Sequence, residues 1–317
     1  MTGDPKVVAM GGGHGLSASL AALKELTSEL CAVVTVADDG GSSGRIRREL
    51  GVLPPGDLRM ALATLSGSGE GCERLAALLQ HRFGGNGALA GHPVGNLLIT
   101  GMTELLGGDS VEALATVGRI VGAQGRVLPM SPVPLEIAAL VSGMDPDHPS
   151  DLRRIRGQVA VATTTGRVVS VSLVPDRPPA CPEAVAAIRA ADAVVLGPGS
   201  WFTSVLPHVL VPELLEAMVR TDARIVVTLN LAPQPGETEG FSPEELLEAL
   251  YRHAPDLLIH TVLADEEALI DRRALTDTVH ARGARLVLAP VAAAGGSARH
   301  DPELLAAALA PVIGVDR

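Results

Sequence analysis

The chain has 317 residues, of which 47% are hydrophobic and 2% aromatic, so a large core has to be built from Ala, Val, Leu and Ile. Its formal net charge of -11 argues against general nucleic-acid binding, which needs a basic face. No apolar run reaches the roughly 18 residues of a membrane span. The three cysteines (Cys31, Cys72, Cys181) are odd in number and lack metal spacing, and the N-terminus enters a strand directly. This pattern predicts reduced core thiols, no signal peptide and a cytoplasmic location. The histidines are scattered, with no HExxH or Cys/His cluster, so a structural zinc site is not expected.

Val7 to Met10 predicts a strand that ends in Gly11-Gly12-Gly13-His14-Gly15. A helical pattern follows, with Leu16, Leu20, Leu23 and Leu26 at three-to-four spacing and Ser17 or Ser19 placed to cap it. The β-branched run Ala32 to Ala37 predicts a second strand, which ends in the acidic pair Asp38-Asp39. A glycine-serine stretch then runs into Arg45, Arg47 and Arg48. The loop that follows is expected to close at Asp57, as the N-cap of a helix over Leu58 to Ser66 with Arg59 in its first turn. Further helices are predicted over Glu73–Phe83, Val94–Leu106, with Asn96 near its start, and Ser110–Val121. Residues 57–123 therefore read as a helical insertion.

Residues 127–174 change in texture and predict a β extension. Within it, Gln158–Thr163 and Arg167–Leu173 flank Thr164-Thr165-Gly166 as a hairpin. Alternation resumes with a helix over Pro182–Ala191 and a strand over Ala193–Leu196, which ends in Gly197-Pro198-Gly199-Ser200. A helix over Val211–Arg220 and a strand over Arg224–Leu231 follow, then a capping box of Ser242 with Glu245 opening a helix to Tyr251. Strands over Leu257–Leu263 and Arg285–Val291 bracket a helix over Glu266–Ala281, and a last helix runs through Val312. Strands separated by helices predict an α/β fold with a doubly wound, mostly parallel sheet, here as a single domain over 1–317.

Ligands of such sheets bind beyond the carboxyl ends of the strands. Four strand ends here are glycine-rich or polar: 11–15, 38–45, 197–204 and 230–238, the last holding Asn230 and Gln234. Together they predict one composite site. Glycines and a helix start suit a phosphate, although the spacing is not GxGxxG. Asp38 can accept from a ribose, or Asp38 and Asp39 can hold Mg²⁺, while a helix-cap role is the plain alternative for Asp39. Trp201 and Phe202 either stack on a base or fill the core. His14 and His92 read first as hydrogen-bonding loop residues. Arg45, Arg47, Arg48 and Arg59 either reach phosphate or form a solvated helix face. There is no GxSxG, no P-loop lysine and no Ser/His/Asp order, so no catalytic residue is assigned.

The segments GGGHGLSASLAALK, TVADDGGSSGRIRRELGVLPPGDLR, LAGHPVGNLLI, VLGPGSWFTSVLP, LNLAPQPGETEGF and ARHDPELLAAAL follow one another from residue 7 to about 309. In these motifs the chain resembles the gluconeogenesis factor family (YvcK-like proteins), of the superfamily of 2-phospho-L-lactate transferase (CofD-like). The resemblance implies a Rossmann-like three-layer core and a cytoplasmic bacterial protein. It further implies binding of UDP-sugars, notably UDP-N-acetylglucosamine, and a role in cell-wall synthesis, cell shape and growth on gluconeogenic carbon. Carried onto this sequence, the ligand site draws on Gly11, Gly12, Gly13, His14, Gly15, Asp38, Asn96, Gly197, Gly199, Ser200 and Asn230, to which Asp39 and Gln234 are added. Arg299 matches the family's arginine before His-Asp and suits a bidentate pairing with a diphosphate. His14 stands where the family commonly has threonine, Trp201-Phe202 replace Leu-Tyr, and Pro233 replaces threonine. Two functions follow: a UDP-sugar-sensing regulator that signals to protein partners, or a Mg²⁺-dependent phosphotransferase. Oligomeric state, a homodimer included, is left open.

Overall fold

A computed structural model describes residues 3–295 and 297–315. The N-terminal half comprises β1 (Val7–Gly11), α1 (Gly13–Leu23), β2 (Leu30–Val34), α2 (Gly41–Leu50), α3 (Gly56–Leu65), α4 (Glu70–Gln80), α5 (Val94–Leu105), α6 (Ser110–Ile120) and β3 (Arg126–Pro129). A small β layer follows: β4 (Glu136–Ser142), β5 (Arg153–Arg156), the short helix α7 (Gln158–Ala162) and β6 (Arg167–Val174). The C-terminal half comprises α8 (Pro182–Arg189), β7 (Ala193–Leu196), a π-helical turn (Trp201–Val205), α9 (Leu206–Val209), α10 (Pro212–Arg220), β8 (Arg224–Thr228), α11 (Pro243–His253), β9 (Thr261–Ala264), α12 (Arg272–Ala281), β10 (Arg285–Leu288) and α13 (Pro302–Ile313).

Seven strands form a parallel sheet in the order β10-β9-β8-β7-β1-β2-β3. Helices cover both faces, so β1, β2 and β7 are buried along their whole length and read as continuous apolar runs. One helical layer holds α1 against α3 and α13; the other holds α8, α9, α10, α11 and α12. The doubly wound, three-layer expectation therefore stands. From β1 the chain moves outward to β2 and β3, then returns to place β7 on β1's other side. The carboxyl ends of β1 and β7 lie side by side at this reversal of strand order, where such sheets open a crevice.

Several local expectations are corrected. The antiparallel extension exists in the order β5-β4-β6, but Gln158–Ala162 is a short helix, and β6 pairs with β4 instead. The glycine-serine stretch opens α2, where a Cβ on Gly44 would sit 1.8 Å from the Asp39 carbonyl oxygen. Neither Ser17 nor Ser19 caps α1. Gly12 is its N-cap, Ser17 donates back to the Gly13 carbonyl, and buried Ser19 donates to the Gly197 carbonyl at 2.8 Å. The capping box of Ser242 and Glu245 is present as expected. Among the described residues no single helix is long and apolar enough to cross a membrane.

The crevice walls meet at Gly15. A Cβ there would lie 2.1 Å from the Pro198 carbonyl oxygen and 2.5 Å from the Gly199 Cα, so a methyl forces the β1 and β7 loops apart. Gly15→Ala is expected to lower stability by about 1–3 kcal/mol through this overpacking. Gly101→Ala, on an exposed stretch of α5 with open space around it, is expected to be neutral or slightly stabilising. Chemical denaturation of the two variants beside the parent measures both, and equal effects would contradict the contact.

Candidate functional site

Two adjoining chambers occupy the crevice. The smaller, of about 230 Å³, is lined by the α1 start, Thr35, Asp38, Asp57, Gln158, Ser200, Thr203 and Ser204. The larger, of about 530 Å³, is lined by α1, Pro198, the 230–235 loop and the segment holding Arg299 and His300. His14, Gly15, Gly199 and Gln234 border both, so the chambers form one cleft. The cleft centres on the N-terminus of α1, whose first-turn N–H groups lack intrahelical acceptors and carry the positive end of the helix dipole.

The structure separates the acidic pair. Asp38 lines the small chamber, and its Oδ1 accepts from the Gly40 N–H at 2.9 Å. Asp39 turns away, and its Oδ1 accepts from the Val159 N–H at 3.0 Å in the first turn of α7. A metal held jointly by Asp38 and Asp39 does not match this arrangement. The second carboxylate of the chamber is Asp57, whose place after Pro54-Pro55-Gly56 predicts a helix cap. Helix α3 instead begins at Gly56 after Pro55, with no side-chain cap, and Asp57 sits against the glycine loop. A Cβ on Gly12 would lie 2.5 Å from Asp57 Oδ2, so glycine is needed there to make room for the acid.

Burial pushes the Asp57 carboxyl up to about 7, and the nearby charge of Asp38 adds to this, while the Gly13 N–H and Arg59 act in the opposite direction. Burial also raises Asp38, opposed by its hydrogen bonds from Gly40 and Ser43. Arg59 is itself buried, 4% exposed, so the solvated-face reading fails for it. Its Nε donates to Asn96 Oδ1 at 2.9 Å, and burial pushes its pKa down to about 10. Asn96 Nδ2 in turn faces the Ser42 and Ser43 hydroxyls at 3.3 and 3.5 Å. Asn96 thus stands behind Asp38 and does not line either chamber.

The opposite wall is braced by the 230–238 loop. Asn230 Oδ1 accepts from the Gly199 N–H at 2.9 Å, and its Nδ2 donates to the Gly199 carbonyl at 2.8 Å. Both ends of this amide therefore hold the β7 loop. Buried Glu237 accepts from the Phe202 and Thr203 N–H groups at 2.9 and 3.0 Å, and so caps the π-helical turn. Burial raises the Glu237 pKa despite these bonds. Trp201 and Phe202 are core residues, not a stacking platform. The indole Nε1 donates to the Leu246 carbonyl at 2.9 Å, and Phe202 packs edge-on against Phe241.

Of the expected site residues, Gly12, Gly13, His14, Gly15, Asp38, Gly199, Ser200, Asn230, Gln234 and Arg299 line the cleft. Gly11, Gly197, Asp39 and Asn96 lie behind it. Arg45, Arg47 and Arg48 reach no chamber; their guanidiniums bind the carbonyls of Ala88, Leu135 and Asp39. His92 is buried away from the cleft. Asp57, Thr35, Gln158 and His300 also line it, outside the site residues that the sequence predicts. For Asp57 the available signal was an acid directly after Pro54-Pro55-Gly56, which can only be read as a cap until the fold shows what it faces. Among the described residues no group of three or more His, Cys, Asp or Glu side chains forms a metal-binding cluster.

A doubly wound α/β sheet with a cleft at its switch point, bounded by a glycine-rich helix start, defines the class. The sequence profile of the family described as 2-phospho-L-lactate transferase CofD matches residues 7–289. A Mycobacterium tuberculosis protein with a gluconeogenesis factor name is 55% identical over 313 residues, covering 98% of this chain and 91% of its own. The protein named gluconeogenesis factor from Bacillus subtilis is 37% identical over 267 residues, covering 84% of this chain and 80% of its own. A crystal structure of a UPF0052-family protein from Bacillus halodurans superposes with a TM-score of 0.86 at 33% identity, covering 98% of this chain and 99% of the other. The chain belongs to the CofD family, among its gluconeogenesis factors.

The raised Asp57 makes stability depend on pH. Unfolded, this carboxyl ionises near 3.8; folded, it keeps its proton to about 7. Between these values the native state binds more protons than the unfolded one, so Asp57 costs stability as the pH rises through that window. Asp57→Asn is therefore expected to stabilise the protein at about pH 8 relative to its effect at about pH 4, by roughly 2–4 kcal/mol. Urea unfolding at the two pH values measures the difference, and an effect independent of pH would contradict it.

Proposed function

We propose that the protein is a cytoplasmic UDP-sugar-binding regulator, with UDP-N-acetylglucosamine the first candidate ligand, and that the cleft described above is its site. One observation carries the reading. Of nine buried side-chain atoms without a hydrogen-bond partner among the described residues, four (Thr35 Oγ1, Thr203 Oγ1, Gln234 Oε1 and His300 Nε2) belong to residues that line this cleft. Buried polar atoms are nearly always paired, so orphans gathered in one cavity point to a polar ligand that completes them. The larger chamber adds an apolar wall of Pro198, Leu231, Pro233 and Pro235 for a flat ring. Arg299 is the one Lys or Arg side chain among the described residues lining either chamber, and it suits a diphosphate.

No described side chains in the cleft form a nucleophile paired with a base, which favours sensing over turnover. Binding would report the supply of cell-wall precursor and pass that signal to protein partners, in keeping with a role in cell-wall synthesis, cell shape and growth on gluconeogenic carbon. The relatives' name, gluconeogenesis factor, supports the gluconeogenic part of this setting.

A second reading rests on a different observation, the two carboxylates Asp38 and Asp57 facing one small chamber. Together they could hold Mg²⁺, with phosphates supplying further oxygens, as in a phosphotransferase related to the family's namesake. A bound divalent ion would there offset the charge of a transferring phosphoryl group.

Arg299 is exposed and makes no salt bridge among the described residues. Arg299→Ala is expected to weaken UDP-N-acetylglucosamine binding at least about tenfold, the loss of a charge-assisted contact. The melting temperature of the free protein should barely move. Titration calorimetry with thermal unfolding measures both. Wild-type protein that binds no UDP-sugar, or a variant that binds as well as wild type, would contradict the assignment.

A further inference from the structure

The cleft is divided by charge. The small chamber contains two carboxylates, Asp38 and Asp57, and among its described lining residues no Lys or Arg. The larger chamber contains Arg299 and no carboxylate. The α1 N-terminus borders both: Gly12 and Gly13 line the small chamber, and His14 and Gly15 line the two. A ligand carrying a diphosphate and a neutral sugar cannot lie in this cleft in either direction with equal ease. Phosphate beside the Asp38 carboxylate is repelled, whereas sugar hydroxyls can donate to it and can pair with the Asp57 carboxyl, which keeps its proton to about 7.

Resting on the UDP-sugar reading above, we infer that the sugar enters the small acidic chamber, where Thr35, Asp38 and Ser204 recognise its hydroxyls, while the diphosphate stays at the α1 start beside Arg299 and the nucleoside occupies the larger chamber. Three observations support this orientation. The small chamber, at about 230 Å³ beside about 530 Å³ for the larger, is lined by Thr35, Asp38, Asp57 and Ser204, a polar set that suits sugar hydroxyls, whereas the apolar prolines lie in the larger chamber. The Thr35 hydroxyl is unpartnered and the residue is only 3% exposed, so a ligand hydroxyl completes it where an apolar group would leave it orphaned. The diphosphate at the junction meets first-turn N–H groups of α1, the usual anion position of a helix start. Thr35 and Ser204 thereby become determinants of sugar specificity, and Arg299 a determinant of nucleotide affinity.

The test is a calorimetric comparison of UDP-N-acetylglucosamine with UDP, in buffer containing EDTA, for wild type, Thr35→Val, Ser204→Ala and Arg299→Ala. The quantity read is the preference for the sugar nucleotide over UDP. Thr35→Val and Ser204→Ala are each expected to reduce this preference about three- to tenfold, the range for losing one neutral hydrogen bond. Arg299→Ala is expected to weaken both ligands alike and keep the preference. If Arg299→Ala removes the preference while both chamber variants retain it, the sugar lies in the larger chamber and the inference is overturned. If UDP binds tightly only when Mg²⁺ replaces EDTA, and Asp38→Asn abolishes that gain, the phosphates occupy the acidic chamber and the inference also fails. If wild type binds neither ligand under either condition, it is the UDP-sugar reading itself that fails. Thr35→Val is nearly isosteric; should it not fold, Ser204→Ala gives the same readout.

Discussion

The close approach of two loops governs this structure. At the ends of the adjacent strands β1 and β7, the start of α1 and the Pro198–Gly199 segment pass so near that Gly15 has no room for a Cβ. Parallel winding in opposite directions from β1 brings these ends together, and small residues let them touch. Two further contacts fix the spacing: Ser19 of α1 donates to the Gly197 carbonyl, and Asn230 of the next loop grips both backbone groups of Gly199. The cleft is what remains on either side of this pinch, which is why its two chambers share His14, Gly15, Gly199 and Gln234. Buried Glu237 continues the bracing into the turn that carries Trp201 and Phe202, so the β7 loop is anchored in the core beneath it.

Polar residues behind the walls sort the charges within the cleft. Asp39 is spent on the backbone of α7, while Asp38 remains in the chamber with Ser43 and Asn96 behind it. Arg59 joins this buried set through Asn96, leaving its cation outside both chambers. The pairing of Asp38 with Asp57 instead of Asp39 follows from the fold of α3, which delivers Asp57 against the space left by Gly12. Burial raises both acids, with the charge of Asp38 adding to the shift of Asp57 and that of Asp39 adding to the shift of Asp38. Such perturbation is more common at functional sites than elsewhere.

Much of the fold was legible because parallel strands buried on both faces write themselves as short apolar runs. The Ala193–Leu196 strand and the Ser242 capping box matched to the residue. The misses share a cause, tertiary contact overriding local pattern. Helix α2 has a glycine-serine start that reads as loop, yet Gly44 is there to let α2 pass the Asp39 backbone. Gln158–Ala162 has strand-like residues, but Asp39 caps it as a helical turn. In the cleft, the glycine loops, Asp38 and Arg299 could be placed from strand-end logic and family motifs. Asp57, Thr35 and His300 could not, since an acid after a proline pair, a threonine inside a strand run and a histidine in the C-terminal loop carry no local mark of facing a cavity. Trp201 and Phe202 illustrate the reverse case, conspicuous in a chain nearly without aromatics but used to fill the core.

The central claim is that a nucleotide sugar completes the cleft at the switch between β1 and β7. The most direct measurement is a crystal structure of the protein grown with UDP-N-acetylglucosamine. The ligand is expected across both chambers, with its diphosphate within hydrogen-bonding reach of the α1 first turn and Arg299, and with Thr35, Gln234 and His300 newly partnered. Density for the ligand elsewhere, or an empty cleft at saturating concentration, would contradict it.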